Sequence, residues 1–174
     1  MRHCEASGQS PDAPLTAEGA DQAELLREFL GDQRVDHVRC SEFVRAQQSA
    51  MPLALAHGLR IQVDARLNER TLSDRPIDNW RDILKASFLD TELRGPGGES
   101  AREATERAWS ALNEVFLSEY ESPVVVSHGN LISLALHSID ESFGYEGWES
   151  LSNPDVYVLQ ATDDGPLRFS RMWR

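Results

Sequence analysis

PVVVSHGN, residues 123–130, is the stretch whose reading decides the fold. Val124, Val125 and Val126 follow one another with no polar residue between them. A strand with one solvated face alternates, so an unbroken β-branched run marks a strand covered on both faces, as in a parallel sheet flanked by helices. The run stops at Ser127, His128 and Gly129, and NLISLALHSI (130–139) resumes at helical spacing. Side chains at such a junction are held by framework on both sides, which is where open α/β sheets place their chemistry.

The same alternation extends outward from this stretch. PLTAEGADQAELLREFLGD (14–32) reads as a helix from about Ala17, with Thr16 as N-cap, Gly31 as stop and Ala23, Leu26, Phe29 and Leu30 as its buried stripe. RVDHVRCSE (34–42) reads as a short strand ending at Cys40, VRAQQSAMPLALAHG (44–58) as a helix stopped by Gly58, and LRIQVDARL (59–67) as a half-buried strand. From Leu72 to Ser100 the texture turns polar around Pro76, Trp80, Phe88 and the GPGG turn, which reads as an insertion with one short helix at about Asp78–Phe88. A long helix is expected from about Ser100 to Tyr120, opened by Ser100 and Glu103 in capping-box spacing. VYVLQA (156–161) and LRFSRMW (167–173) close the chain as two strands turning at DDGP (163–166). Strands alternating with amphipathic helices predict a three-layer α/β/α fold around a mostly parallel sheet, in one domain over 1–174 with a cap-like insertion at about 72–100.

Composition narrows the partners. The chain has 174 residues, 40% of them hydrophobic and 26% charged, which is ordinary globular usage. A net charge of −12 argues against nucleic acid and anionic membrane surfaces, while a few arginines can still gather a small anion locally. No apolar run reaches the ~18 residues of a membrane span and no signal segment opens the chain, so a cytoplasmic location is expected. Cys4 and Cys40 lack metal-site spacing and read as buried thiols; no metal and no cofactor are expected.

By the rule of strand ends, the loops after the strands at Val38, Val63 and Val126 should converge, and they carry Arg45, Glu69 and His128. Together with Arg2 and His3 these suit phosphoryl transfer, which needs a nucleophile, cations on the phosphoryl oxygens and a proton donor for the departing oxygen. Imidazole, neutral near pH 7, can attack phosphorus directly and leave again. Guanidinium offers a permanently charged planar fork that lysine cannot reproduce. His3 is the candidate nucleophile, Arg2 and Arg45 the clamp, His128 a second phosphate contact and Glu69 the acid. His37, His57 and His137 lie on or beside regular elements and read as structural.

These junctions carry a resemblance. MRHCEASGQ (1–9) resembles the Arg-His-Gly-Glu signature of the histidine phosphatase superfamily, also called phosphoglycerate mutase-like. PDAPLTAEGADQAELL (11–26), CSEFVRAQQSA (40–50), RLNER (66–70), PGGES (96–100) and VVVSHGNLI (124–132) resemble its further segments in family order. The resemblance implies that His3 becomes phosphorylated, that Arg2, Arg45 and His128 complete the phosphate pocket, and that Glu69 donates the proton. It also implies that Gln9 touches the phosphate and that the Gly129 backbone N–H adds a donor. The implied activity is a metal-independent phosphomonoesterase acting on a small phosphorylated metabolite. A phosphoglycerate mutase, a phosphatase for protein phosphohistidine and an inactive phospholigand-binding member are the alternatives.

Two departures stand out. Cys4 replaces the family glycine, which is tolerable only where the backbone does not need positive φ, and RTLSDRP (70–76) replaces the family's Gly-x-Trp-x-Gly after the acid. In the family the Arg-His pair also ends a central strand of about five apolar residues, whereas here only Met1 precedes it. The expectation is a first strand that is missing, a start lying further upstream and, for the chain as it stands, low stability with a loosely held His3.

Overall fold

The computed structural model describes residues 1–162 and 165–173. α1 (Ala17–Leu30) begins at Thr16, whose hydroxyl accepts the Gly19 N–H, and buries Ala23, Leu26 and Leu30 as the spacing predicts. Phe29, on the same stripe, is half-exposed and meets Trp173 edge to face. β1 (His37–Cys40) is the middle strand of a parallel trio, with β2 (Ile61–Val63) on one side and β3 (Pro123–Val126) on the other. α2 (Val44–Ala56) makes the crossover from β1 to β2.

Alternation along β1 builds the layers. Val38 and Cys40 face Ala46, Ala50 and Leu53 of α2. Arg39 turns to the opposite face and donates to the Ala111 carbonyl and the Glu114 carboxylate of α4 (Ala101–Phe116). α4 opens on the expected capping box, and α5 (Gly129–His137) packs beside it through Ala104, Ala108, Leu131 and Leu134. The result is a three-layer α/β/α arrangement with a mostly parallel sheet. α4 stops at Phe116 rather than near Tyr120 because residues 118–122 bring no apolar stripe, and the N–H groups of Glu121 and Ser122 go to the Asp36 carboxylate instead.

The 72–100 segment holds α3 (Trp80–Ala86), shorter than expected, and buries Leu84 and Phe88 against α4 and α5. Arg70 ties this segment down. Its guanidinium donates to the Glu99 carbonyl at 3.1 Å, the Ser87 hydroxyl at 2.7 Å and the Leu93 carbonyl at 3.3 Å. Opposite α3 lies α6 (Tyr145–Glu149), which brings Trp148 against Trp80. It buries no residue fully, so its sequence carries no helical stripe to read. β4 (Tyr157–Thr162) and β5 (Gly165–Arg171) form an antiparallel pair, and of the expected DDGP turn Asp163 and Asp164 lie outside the described residues.

β3 and β4 do not pair with one another. Among the described residues, Arg2 bridges the segments beside them, parallel to Ser127 just after β3 and antiparallel to Asp155 just before β4. Beyond Met1 the two facing edges enclose an apolar cavity of about 480 Å³, lined among others by Leu112, Val124, Val125, Leu131, Val158 and Leu159. The Met1 amino group donates to the Val125 carbonyl at 2.8 Å, so the ladder reaches the first residue of the chain. The expected loosely held His3 is not what the structure shows. Its N–H donates to the Ser127 carbonyl at 3.0 Å and its side chain is buried, because Arg2 and His3 take their ladder bonds from the ends of β3 and the 155 segment.

A slot between two strands that do not pair with one another fits one more extended segment, at about 3.3 Å rise per residue. Fusing four strand-forming apolar residues ahead of Met1 is expected to raise Tm by at least about 4 °C, whereas the same extension with Asp and Lys is not. Equal melting temperatures for both would show that the slot does not accept a strand.

Candidate active site

The site gathers where β1 and β3 end. His3 follows the Arg2 bridge, Arg45 lies in the first turn of α2, and His128 is the N-cap residue of α5. All three side chains are buried. His3 Nδ1 lies 2.6 Å from the Cys4 carbonyl, which can only accept, so Nδ1 carries the proton and Nε2 is left with its lone pair. Arg45 Nε donates to that Nε2 at 3.2 Å. The ring of His128 stands edge-on to His3, with centroids 5.0 Å apart. Burial pulls the His3 imidazole down to about 4, against the bond to Cys4 and helped by the charges of Arg45 and Arg2. His128 is pushed well below its ordinary range by burial, with His3 and nearby arginines adding to it. Both rings are therefore neutral at pH 7.

The guanidinium groups are held by backbone carbonyls. Arg45 Nη1 donates to the Ser10 and Gln9 carbonyls at 2.8 and 3.3 Å. Arg2 Nη1 donates to the carbonyls of Leu151 and Ser152 at 3.1 and 3.3 Å, while its Nε is buried without a partner among the described residues. The 151–156 segment is organised by Asp155, fully buried and bound by Arg171. A Cβ at Gly129 would sit 3.1 Å from Arg2 Nε, close enough that the guanidinium would have to give way by a few tenths of an ångström.

Glu69 caps α5. Its Oε1 accepts the N–H of Leu131 at 3.0 Å and of Arg70 at 2.9 Å, and its Oε2 accepts the N–H of Asn130 at 3.1 Å. Its charge reaches Arg2, Arg45 and Arg70, which places it beside the cationic group rather than apart from it. The loop is braced by Arg107, which grips Glu99 with two nitrogens and donates to the carbonyls of Arg66 and Asn68.

Arg2, His3, Arg45 and His128 thus gather at one end of the sheet, with Glu69 at the N-terminus of α5. Gln9 contributes its backbone carbonyl to Arg45, and its side chain is exposed. Cys4 stands at negative φ, as its replacement of glycine requires, and burial pushes its thiol up to about 11. Sequence reading did not single out Ser41, bonded to His128 Nε2 at 2.7 Å, nor Asn153, whose amide donates to the His3 carbonyl at 2.8 Å. Ser41 lies inside the CSEFVRA stretch and was open to notice; Asn153 sits in a loop with no pattern around it. Chemically, the arrangement offers an unprotonated imidazole nitrogen beside two guanidinium groups, suited to a tetrahedral anion.

The chain is similar to known proteins. The chain is 36% identical over 144 residues to the "Probable phosphoglycerate mutase GpmB" of Yersinia enterocolitica, a stretch covering 76% of this chain and 65% of that protein. The Yersinia pestis (strain Pestoides F) protein of the same name gives the same figures, so the chain spans about two thirds of the length of these curated relatives. Among solved structures, a mycobacterial glucosyl-3-phosphoglycerate phosphatase in complex with VO3 superposes with TM-score 0.77 at 25% identity, over 98% of this chain and 94% of that one. An alpha-ribazole phosphatase from Shigella flexneri shares the fold at TM-score 0.74 and 24% identity, over 97% and 92%. The family profile for the histidine phosphatase superfamily (branch 1) matches residues 1–171, nearly the whole length. The segments it spans are those that bring His3, Arg45 and His128 to one end of the sheet, and the chain belongs to the histidine phosphatase superfamily.

Proposed function

We propose that the chain is a metal-independent phosphomonoesterase that hydrolyses a small phosphorylated metabolite through a phosphohistidine at His3. The observation that carries this reading is the bare Nε2 of His3, fixed by the Cys4 carbonyl on the far nitrogen and faced by Arg45. That nitrogen attacks phosphorus; an N–P bond forms as the P–O bond to the leaving group breaks. Arg2, Arg45, His128 and the Gly129 N–H hold the phosphoryl oxygens. As the anionic substrate enters, the Glu69 carboxylate takes a proton from solvent and gives it to the departing oxygen; its Oε2, with a single N–H donor, has a lone pair for that proton. In the second step water attacks phosphorus, the N–P bond breaks and the water proton returns to Glu69.

Leaving-group choice falls to the segment 72–100, which we read as a cap within a single domain. An open cleft of about 640 Å³ beside Glu69 is lined by Asn68, Thr71, Gly97, Gly98 and Arg107, on the side where a leaving group would emerge. The mutase reading draws on the name of the Yersinia relatives, and requires the phosphoryl group to be re-donated rather than lost to water. The phosphatase names of the solved structures support hydrolysis.

Turnover of a phosphomonoester panel in the presence of a chelator is expected for the wild type and not for His3→Ala; comparable turnover by both would end the proposal. Arg45→Ala is expected to lower kcat/KM by about a hundredfold, the effect of removing one oxyanion donor at ~3 kcal/mol. Neutral burial of His3 also predicts an acid limb. With its folded value near 4 and its ordinary value at 6.5, the unfolded chain takes up the proton first, so stability is full above about pH 6.5. It falls as pH drops toward 4, by up to roughly 3 kcal/mol from this group. Urea unfolding at pH 7 and pH 4.5 should show a smaller acid loss for His3→Ala than for wild type, and equal losses would contradict the neutral ring.

A further inference from the structure

Ser41 stands between His128 and Asn68, and the hydrogen-bond directions around it can be assigned one by one. Asn68 Oδ1 accepts the Glu42 N–H at 2.9 Å, and Asn68 Nδ2 donates to the Glu42 carboxylate at 2.8 Å. Turning the amide over would set donor against donor and acceptor against acceptor, so its orientation is fixed twice. Oδ1 therefore faces the Ser41 hydroxyl, 2.9 Å away, and can only accept from it. The Ser41 oxygen also accepts the Phe43 N–H at 3.1 Å. Its one hydrogen being committed to Asn68, the hydroxyl has nothing to give His128, whose Nε2 lies at 2.7 Å. Nε2 must be the donor. The other ring nitrogen, Nδ1, is buried with no partner among the described residues.

We propose that Ser41, oriented by Asn68, is a positioning residue that holds His128 as the Nε2–H tautomer and leaves Nδ1 as a bare acceptor beside His3. The inference rests on reading the pocket as a phosphate site, and it specifies which ionic form of the phosphate the pocket takes. A bare Nδ1 opposes the oxygens of a fully ionised phosphomonoester. From a singly ionised one it takes the remaining proton: the O–H bond breaks, an N–H bond forms, and the phosphate gains its second charge beside an imidazolium. Both nitrogens of that ring then donate, Nε2 to Ser41 and Nδ1 to a phosphate oxygen. Until an anion arrives, the groups facing the ring oppose its protonation: His3 and Arg2 from the first residues, Arg45 from α2 and Arg107 from α4.

Long-range ¹H–¹⁵N spectra of the ¹⁵N-labelled chain read this directly. Free wild-type protein is expected to show His128 with a protonated Nε2 and bare Nδ1, the reverse of His3. Inorganic phosphate should convert His128 to the doubly protonated ring. Ser41→Ala and Asn68→Ala should each give a mixture of His128 tautomers while the His3 pattern stays as it was, and Ser41→Thr should restore the single form. Ser41→Ala should also lower kcat/KM by roughly ten- to a hundredfold, the range typical of lost outer-shell partners. A proton on Nδ1 in the free wild type, or an unchanged His128 pattern in both alanine variants, would overturn the proposal. The tautomer is read without substrate, so absence of turnover bears on the phosphatase reading and not on this one.

Discussion

The contact on which the rest depends is that between the Arg45 guanidinium and the bare Nε2 of His3, 3.2 Å apart. It brings a permanent cation against a neutral lone pair, an arrangement that persists only while the ring cannot take a proton of its own. The Cys4 carbonyl and burial secure that state. Everything near it serves to hold these two groups still: Ser49 accepts the Cys4 N–H, Asn153 donates to the His3 carbonyl, and the Ser10 carbonyl anchors Arg45. In the proposed role of nucleophile, a His3 so restrained loses little freedom on the way to reaction.

Charge balance follows from the same constraint. Two arginines enclosed with two neutral imidazoles leave a strong local excess of positive charge in a chain of net charge −12. Glu69 offsets part of it while its carboxylate closes the first turn of α5, where helix N–H groups otherwise lack partners. One side chain thus links the proposed acid position, the N-terminal end of α5 and the arginine cluster. A change at Glu69 is bound to act on all three.

Much of this was legible in the residues. The unbroken valines at 124–126 marked a strand covered on both faces, and the rule of strand ends brought His128, Arg45 and Glu69 together before any coordinate did. The Ser100–Glu103 capping box was readable because its two partners lie three residues apart. What escaped were neutral groups acting across the chain. Ser41, Asn68 and Asn153 matter through partners 27 to 150 residues away, and no local pattern announces such bonds. α6 escaped because it buries no residue, and the grip of the first residues escaped because their ladder bonds come from β3 and the 155 segment. The carbonyl bond from Gln9 to Arg45 also had no local pattern to announce it.

The most direct measurement is rapid quenching of the working enzyme followed by ³¹P spectroscopy and mass analysis of the trapped protein. The account predicts one acid-labile phosphoryl group on His3, attached at Nε2 and absent when His3 is replaced by alanine. Steady turnover with no covalent phosphate, or with the phosphate on Nδ1 of His3 or on another residue, would contradict it.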